Sequence, residues 1–83
     1  MTDAVATTDH TVIRSWVESR NGQPVRAGRH VLRIEFGDSH DGFRPIQWDE
    51  FFEVFEDARL AFLHQDMLDT GEPSHYNRLV ARP

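Results

Sequence analysis

The sequence predicts a single small α+β domain. Two short helices pack on a mainly antiparallel sheet of about four strands, in the order helix, hairpin, helix, hairpin. Three observations carry this. Asp9 to Arg20 and Asp49 to Arg59 each space apolar residues three and four apart, the period of a helix buried along one face. His30 to Phe36 alternates apolar with charged residues, and Leu60 to Leu63 is an unbroken apolar run too short for a third helix. Turn-forming clusters separate these segments at Asn21-Gly22, at GDSHDG (37–42) and at MLDTGEP (67–73).

In chain order, residues 1–8 are a polar lead rich in Ala and Thr, expected to be a disordered tail, and residues 9–83 form the domain. Asp9 is placed as the N-cap of a first helix reaching about Arg20. Val12, Ile13, Trp16 and Val17 make its apolar stripe; Arg14, Ser15, Glu18 and Ser19 face out. Asn21-Gly22 supplies a left-handed stop, and Pro24 prevents resumption. Val25 to Ala27 reads as a short strand. In the strand from His30 to Phe36, Leu32, Ile34 and Phe36 point one way while Arg33 and Glu35 point the other. Phe43 to Trp48 returns, and Pro45, which lacks an amide donor, puts that strand at an edge.

The densest apolar stretch is IQWDEFFEVFEDARLAFLHQD (46–66). Phe51, Val54, Phe55 and Ala58 share one helical face, widened by Phe52, and Glu50, Glu53, Glu56 and Asp57 take the opposite one. Asp49 is placed as the N-cap, Glu50 adds negative charge at the positive end of the helix dipole, and Arg59 closes the negative end. The run Leu60 to Leu63 fits a strand near the middle of the sheet, with His64 marking its emergence into solvent. Ser74 to Ala81 is a final strand pairing back on residues 60–66. Trp16 and Trp48, in phase with neighbouring apolar residues, are placed in the core rather than on a stacking surface.

Eighty-three residues supply one core and little volume for a deep substrate cavity as well. The absence of cysteine excludes disulfides and thiolate metal sites and is compatible with a reducing cytoplasm. No leader and no apolar run of membrane-spanning length is present, so a soluble, cytoplasmic protein is expected. The net charge of −5 is unevenly spread. Between Arg14 and Arg33 lie five arginines and one acid, and between Glu35 and Asp57 eight acids and one base. Such blocks either face each other and solvent, or form a bipolar surface that recruits a charged partner or a second copy.

The segments TVIRSWVESRNGQPV, LRIEF, IQWDEFFEVFEDARLAFLHQD and the closing S-x-Y-x-x-L-V, running from Thr11 to Val80, resemble a family of small uncharacterised bacterial proteins. The WDEFF and LAFLHQD stretches are the specific parts, and some members carry the label 1,4-α-glucan branching enzyme. The chain departs from the family pattern in having His64 where an aromatic is usual and a shorter loop around Ser39. The resemblance implies a standalone α+β domain and brings no site residues with it.

The residues themselves do not fit the branching label. That chemistry needs two carboxylic groups about 5–5.5 Å apart across a glycan cleft, and true branching enzymes build it on a barrel of ~250 residues. Glu53 and Asp57 share a helix face, but it is the solvated one. Ser39-His40-Asp41 holds the residue types of a catalytic relay as sequence neighbours, whereas a relay converges from separate elements. Asp38, His40 and Asp41 fail the calcium-loop pattern, and His10, His30, His64 and His75 lack the spacing of a helical zinc pair. Neither a cofactor nor a metal is expected.

The candidate interaction surface therefore comprises Arg14, Arg20, Arg26, Arg29 and Arg33 with Glu50, Glu53, Glu56 and Asp57. The expected role is a non-catalytic accessory domain that meets a protein partner through this charge-segregated surface, with a homodimer through an edge strand allowed. The alternatives are nucleic-acid contact through the five arginines, mimicry of nucleic acid by the acidic block, and, ranked last, action on a glycan.

Overall fold

The computed structural model describes residues 3–37 and 42–83. Asp38, Ser39, His40 and Asp41, assigned to a turn from the sequence, lie outside them. The elements are β1 (Val5–Thr7), α1 (His10–Glu18), β2 (Gln23–Ala27), β3 (Val31–Glu35), β4 (Arg44–Pro45), α2 (Trp48–Asp57), β5 (Leu60–His64) and β6 (Asn77–Ala81). The α+β class holds, but the strands form two antiparallel three-stranded sheets, β1-β5-β6 and β3-β2-β4, instead of one sheet of about four. The edge strands β3 and β6 run beside each other, yet no backbone ladder joins them.

Val5–Thr7 is a strand where the sequence leads to a disordered tail: Val5 pairs with His64, Ala6 with Leu63 and Thr7 with Phe62. Three residues are too few to show a periodicity. The free edge of β5 supplies the missing specification, and Val and Thr suit a strand. The same pairing explains His64. Flanked by Val5 on one side and Asn77 on the other, and packed 5.6 Å from the Trp16 ring, it is 5 % exposed rather than emerging into solvent.

The first helix starts as expected, the Asp9 carboxylate accepting from the Val12 amide at 3.1 Å. It stops at Glu18, and Asn21, with φ +58, makes the left-handed exit. Gly22 is needed for closeness instead: a Cβ there would lie 2.8 Å from Phe36 and 2.9 Å from Val17. Ile13, Trp16 and Val17 are buried, but Val12 is exposed at the rim of the stripe. In the second sheet β2 begins at Gln23, so Pro24 lies inside the central strand. Pro24 still contributes its carbonyl, which accepts from the Ile46 amide at 3.1 Å. The expected strand from Phe43 to Trp48 shrinks to the edge pair Arg44–Pro45, as a strand interrupted by proline allows. Glu35, expected on the outer face of β3, is 5 % exposed.

The second helix absorbs Trp48, leaving Gln47 at the cap with no side-chain bond. Asp49, expected as the N-cap, lies two residues inside it and accepts from the Glu50 amide at 2.9 Å. The helix packs on β2, β3 and β5, and so spans both sheets. Phe51, Phe55 and Phe62 are fully buried with Ile13 and Val17, and Trp16 meets Phe62 edge-on at 5.5 Å. Burial of each ring stabilises by roughly 1.5–3 kcal/mol. The helix ends at Asp57, and the chain leaves it through Arg59, a non-glycine residue at φ +52 whose carbonyl accepts from the Arg82 amide at 2.9 Å.

Candidate interaction surface

The nine residues singled out by charge separate into those consumed by the fold and those left facing solvent. Arg20 is the clearest case of the first kind. Its Nε donates to the Ser74 carbonyl at 2.6 Å, Nη2 to the Asp66 carbonyl at 2.7 Å and Nη1 to the Trp16 carbonyl at 3.1 Å. The guanidinium lies 4.2 Å from the centre of the Trp16 ring. Partial burial lowers its pKa from the ordinary arginine value, and the nearby Asp66 charge works in the opposite direction. Arg20 thus ties α1 to the segment between β5 and β6, as the planar fork of an arginine suits.

Arg26 reaches from β2 to the Glu50 carboxylate on α2, and its fork also holds the Arg29 carbonyl. Arg44 meets the same carboxylate at 3.3 Å, so Glu50 carries two cations. Here the basic and acidic blocks face each other. Arg14 pairs with Glu18 one helical turn on, at 3.1 Å, with both side chains about half exposed; Glu18 also accepts from the Trp48 indole at 3.2 Å. Exposed pairs of this kind contribute little. Arg33 stacks on the Phe43 ring at 4.8 Å, a contact that orients the guanidinium without neutralising it.

On α2, Glu56 accepts from His10 Nε2 at 2.7 Å and from both Arg82 Nη atoms at 3.2 Å. These bonds, Arg82's first and then His10's, hold its carboxyl below the ordinary glutamate value. The His10 ring is itself stacked on Phe52 at 4.0 Å, so Glu56 sits in a fixed polar cluster joining the starts and ends of distant elements. Glu53 and Asp57 are exposed and have no ion-pair partner among the described residues. With Asp49, also exposed, they recur every four residues and form one acidic ridge along the solvent side of α2.

Of the nine residues, then, Arg20, Arg26, Glu50 and Glu56 are bound up in internal contacts. Arg14 is paired with the exposed Glu18, and Arg29, Arg33, Glu53 and Asp57 keep their charge available. The sequence could have pointed to Asp49 through its four-residue spacing from Glu53. It could not have revealed which acids Arg44 and Arg82 neutralise, since those pairings depend on the tertiary fold. Among the described residues no three His, Asp or Glu side chains converge as a metal site would require. No helix among the described residues is long and apolar enough to cross a membrane. No protein-family model matches the chain, and no curated protein or solved structure is detectably similar to it.

Proposed function

We propose that this chain is a small non-catalytic interaction domain, acting in the cytoplasm, whose acidic α2 ridge receives a basic segment of a protein partner. The ridge of Asp49, Glu53 and Asp57 is the observation that supports this reading. Like charges four residues apart destabilise a helix by about 0.2–0.5 kcal/mol per pair. Asp57, the last helical residue, also stands against the negative end of the helix dipole. A basic partner would relieve both penalties, whereas an isolated domain only bears them. The family resemblance of the WDEFF and LAFLHQD stretches is consistent with a standalone domain of this kind.

Nucleic-acid contact through the arginine-rich region is the weaker alternative, because Arg20 and Arg26 already serve the fold and Arg14 has an acid beside it. Affinity capture from the native host tests the proposal. The wild type is expected to recover a basic protein, and the double variant Glu53→Gln/Asp57→Asn to lose it while gaining about 0.5 kcal/mol of stability. Recovery of no protein, or of the same protein by the double variant, would overturn it.

A further inference from the structure

From an independent feature, the exit of α1, we infer that Asn21 is a site of spontaneous covalent modification that the fold holds in check. The reaction is attack of the Gly22 amide nitrogen on the Asn21 carboxamide, with loss of ammonia. Two separate demands of the turn bring these residues together. Asn21 sits at φ +58, a left-handed conformation that asparagine tolerates better than most side chains. Gly22 follows because a Cβ there would lie 2.8 Å from Phe36 and 2.9 Å from Val17. Having no side chain, glycine also leaves the attacking nitrogen unhindered.

The reaction needs nothing beyond water. Hydroxide takes the proton of the Gly22 amide, and the nitrogen then bonds to Asn21 Cγ and closes a succinimide ring. The Cγ–Nδ2 bond breaks, and the departing nitrogen takes a proton from water to leave as ammonia, which restores the hydroxide. Water opens the ring at one carbonyl to give aspartate. At the other carbonyl it gives isoaspartate, in which the main chain runs through Cβ and Cγ.

The structure exposes one reactant and restrains the other. Asn21 is exposed, and its carboxamide makes no hydrogen bond among the described residues. The Gly22 N–H donates to the Val17 carbonyl at 3.0 Å and the Asn21 N–H to the Glu18 carbonyl at 3.1 Å. These are the paired bonds that close a helix on a left-handed residue. An amide bonded in this way gives up its proton only when the bond opens, and the Phe36 and Val17 side chains crowd any swing of the Gly22 backbone. Arg20, the preceding residue, pins the same turn through the Ser74, Asp66 and Trp16 carbonyls. Attack therefore requires the end of α1 to open. Isoaspartate then lengthens the main chain where Gly22 has no room even for a Cβ, so the turn does not close again.

The test is peptide mapping by mass spectrometry of the full chain after incubation at mildly alkaline pH, folded in buffer and unfolded in urea. In urea, Asn21 is expected to convert to the acid faster than Asn77, which precedes the bulky Arg78. In the folded chain its conversion should be at least about tenfold slower than in urea. Arg20→Gln should speed the folded-state conversion by at least about tenfold, Arg20→Lys by less, and Arg14→Gln by under about threefold, with all chains equally reactive in urea. Where Arg20→Gln fails to fold, Arg20→Lys carries the comparison. The purified isoaspartyl chain should lose hydrogen-exchange protection across His10–Glu18. Conversion of Asn21 no faster than Asn77 in urea would overturn the site. Equal rates in the folded and unfolded chain, or a folded-state rate untouched by both Arg20 variants, would overturn the restraint. An isoaspartyl chain with wild-type protection would overturn the failure to close.

Discussion

Arg20 and Arg14 lie six positions apart on or just beyond the same helix and share a side-chain type, yet their environments differ completely. Arg14 holds one exposed glutamate. Arg20 holds three carbonyls and an indole face. Arg20→Gln is therefore expected to destabilise by about 2–3 kcal/mol, since it abandons carbonyls that charge-assisted bonds satisfy. Arg14→Gln should stay within about 0.5 kcal/mol of wild type. Urea unfolding of both variants checks the pair. Gly22 provides a second case. Its replacement by Ala would push a methyl into Phe36, Val17 and Ile34 at 2.8, 2.9 and 3.1 Å, and should cost about 1–3 kcal/mol on the same assay. From sequence Gly22 was legible as part of a turn, but the crowding that requires it was not, because all three neighbours arrive through tertiary packing.

Helices were more legible than strands, for a physical reason. Ile13, Trp16 and Val17, like Phe51, Val54 and Phe55, repeat at the three-and-four spacing within helices of nine and ten residues. The β1 and β4 strands contain three and two residues, and their existence depends on the edge beside them rather than on their own pattern. The charged face of α2 was legible as a face. Its division into Glu50 and Glu56, held by internal partners, against open Glu53 and Asp57 was not, because the partners come from β2, β4, α1 and the residue after β6. Glu56 gives that division a pH signature. Its folded-state carboxyl titrates below its ordinary value of 4.5, so its contribution is fully present above that value. The contribution fades as pH falls through the depressed folded-state value. Glu56→Gln should accordingly flatten the loss of stability below about pH 4.5. Thermal melts of wild type and variant across pH 3–7 would measure the difference, and parallel curves would refute it.

At the scale of the molecule, two sheets share one helix. Because α2 packs on β2, β3 and β5, loosening it should loosen both sheets at once. Phe55→Ala, which empties the space of a fully buried ring, is expected to cost about 3–5 kcal/mol. Hydrogen exchange should show that loss in the β2 and β5 amides together. Retained protection in one sheet alone would mean that the halves open separately. The sequence conveyed the class and the number of helices, but a single sheet was the simpler expectation. The division arises where β3 and β6 run side by side without exchanging backbone bonds, an outcome of register that no local pattern encodes.

The pairing of Val5–Thr7 with Phe62–His64 has a bearing on biosynthesis. A ribosome adding roughly 5–20 residues per second releases the first strand several seconds before its partner exists. During that interval the amino-terminal residues have no sheet to join, and they dock only once the carboxyl half has been made. A tag fused ahead of Asp3 would consequently emerge from the flank of a finished sheet beside the buried His64, so short linkers there should slow maturation more than tags placed after Pro83.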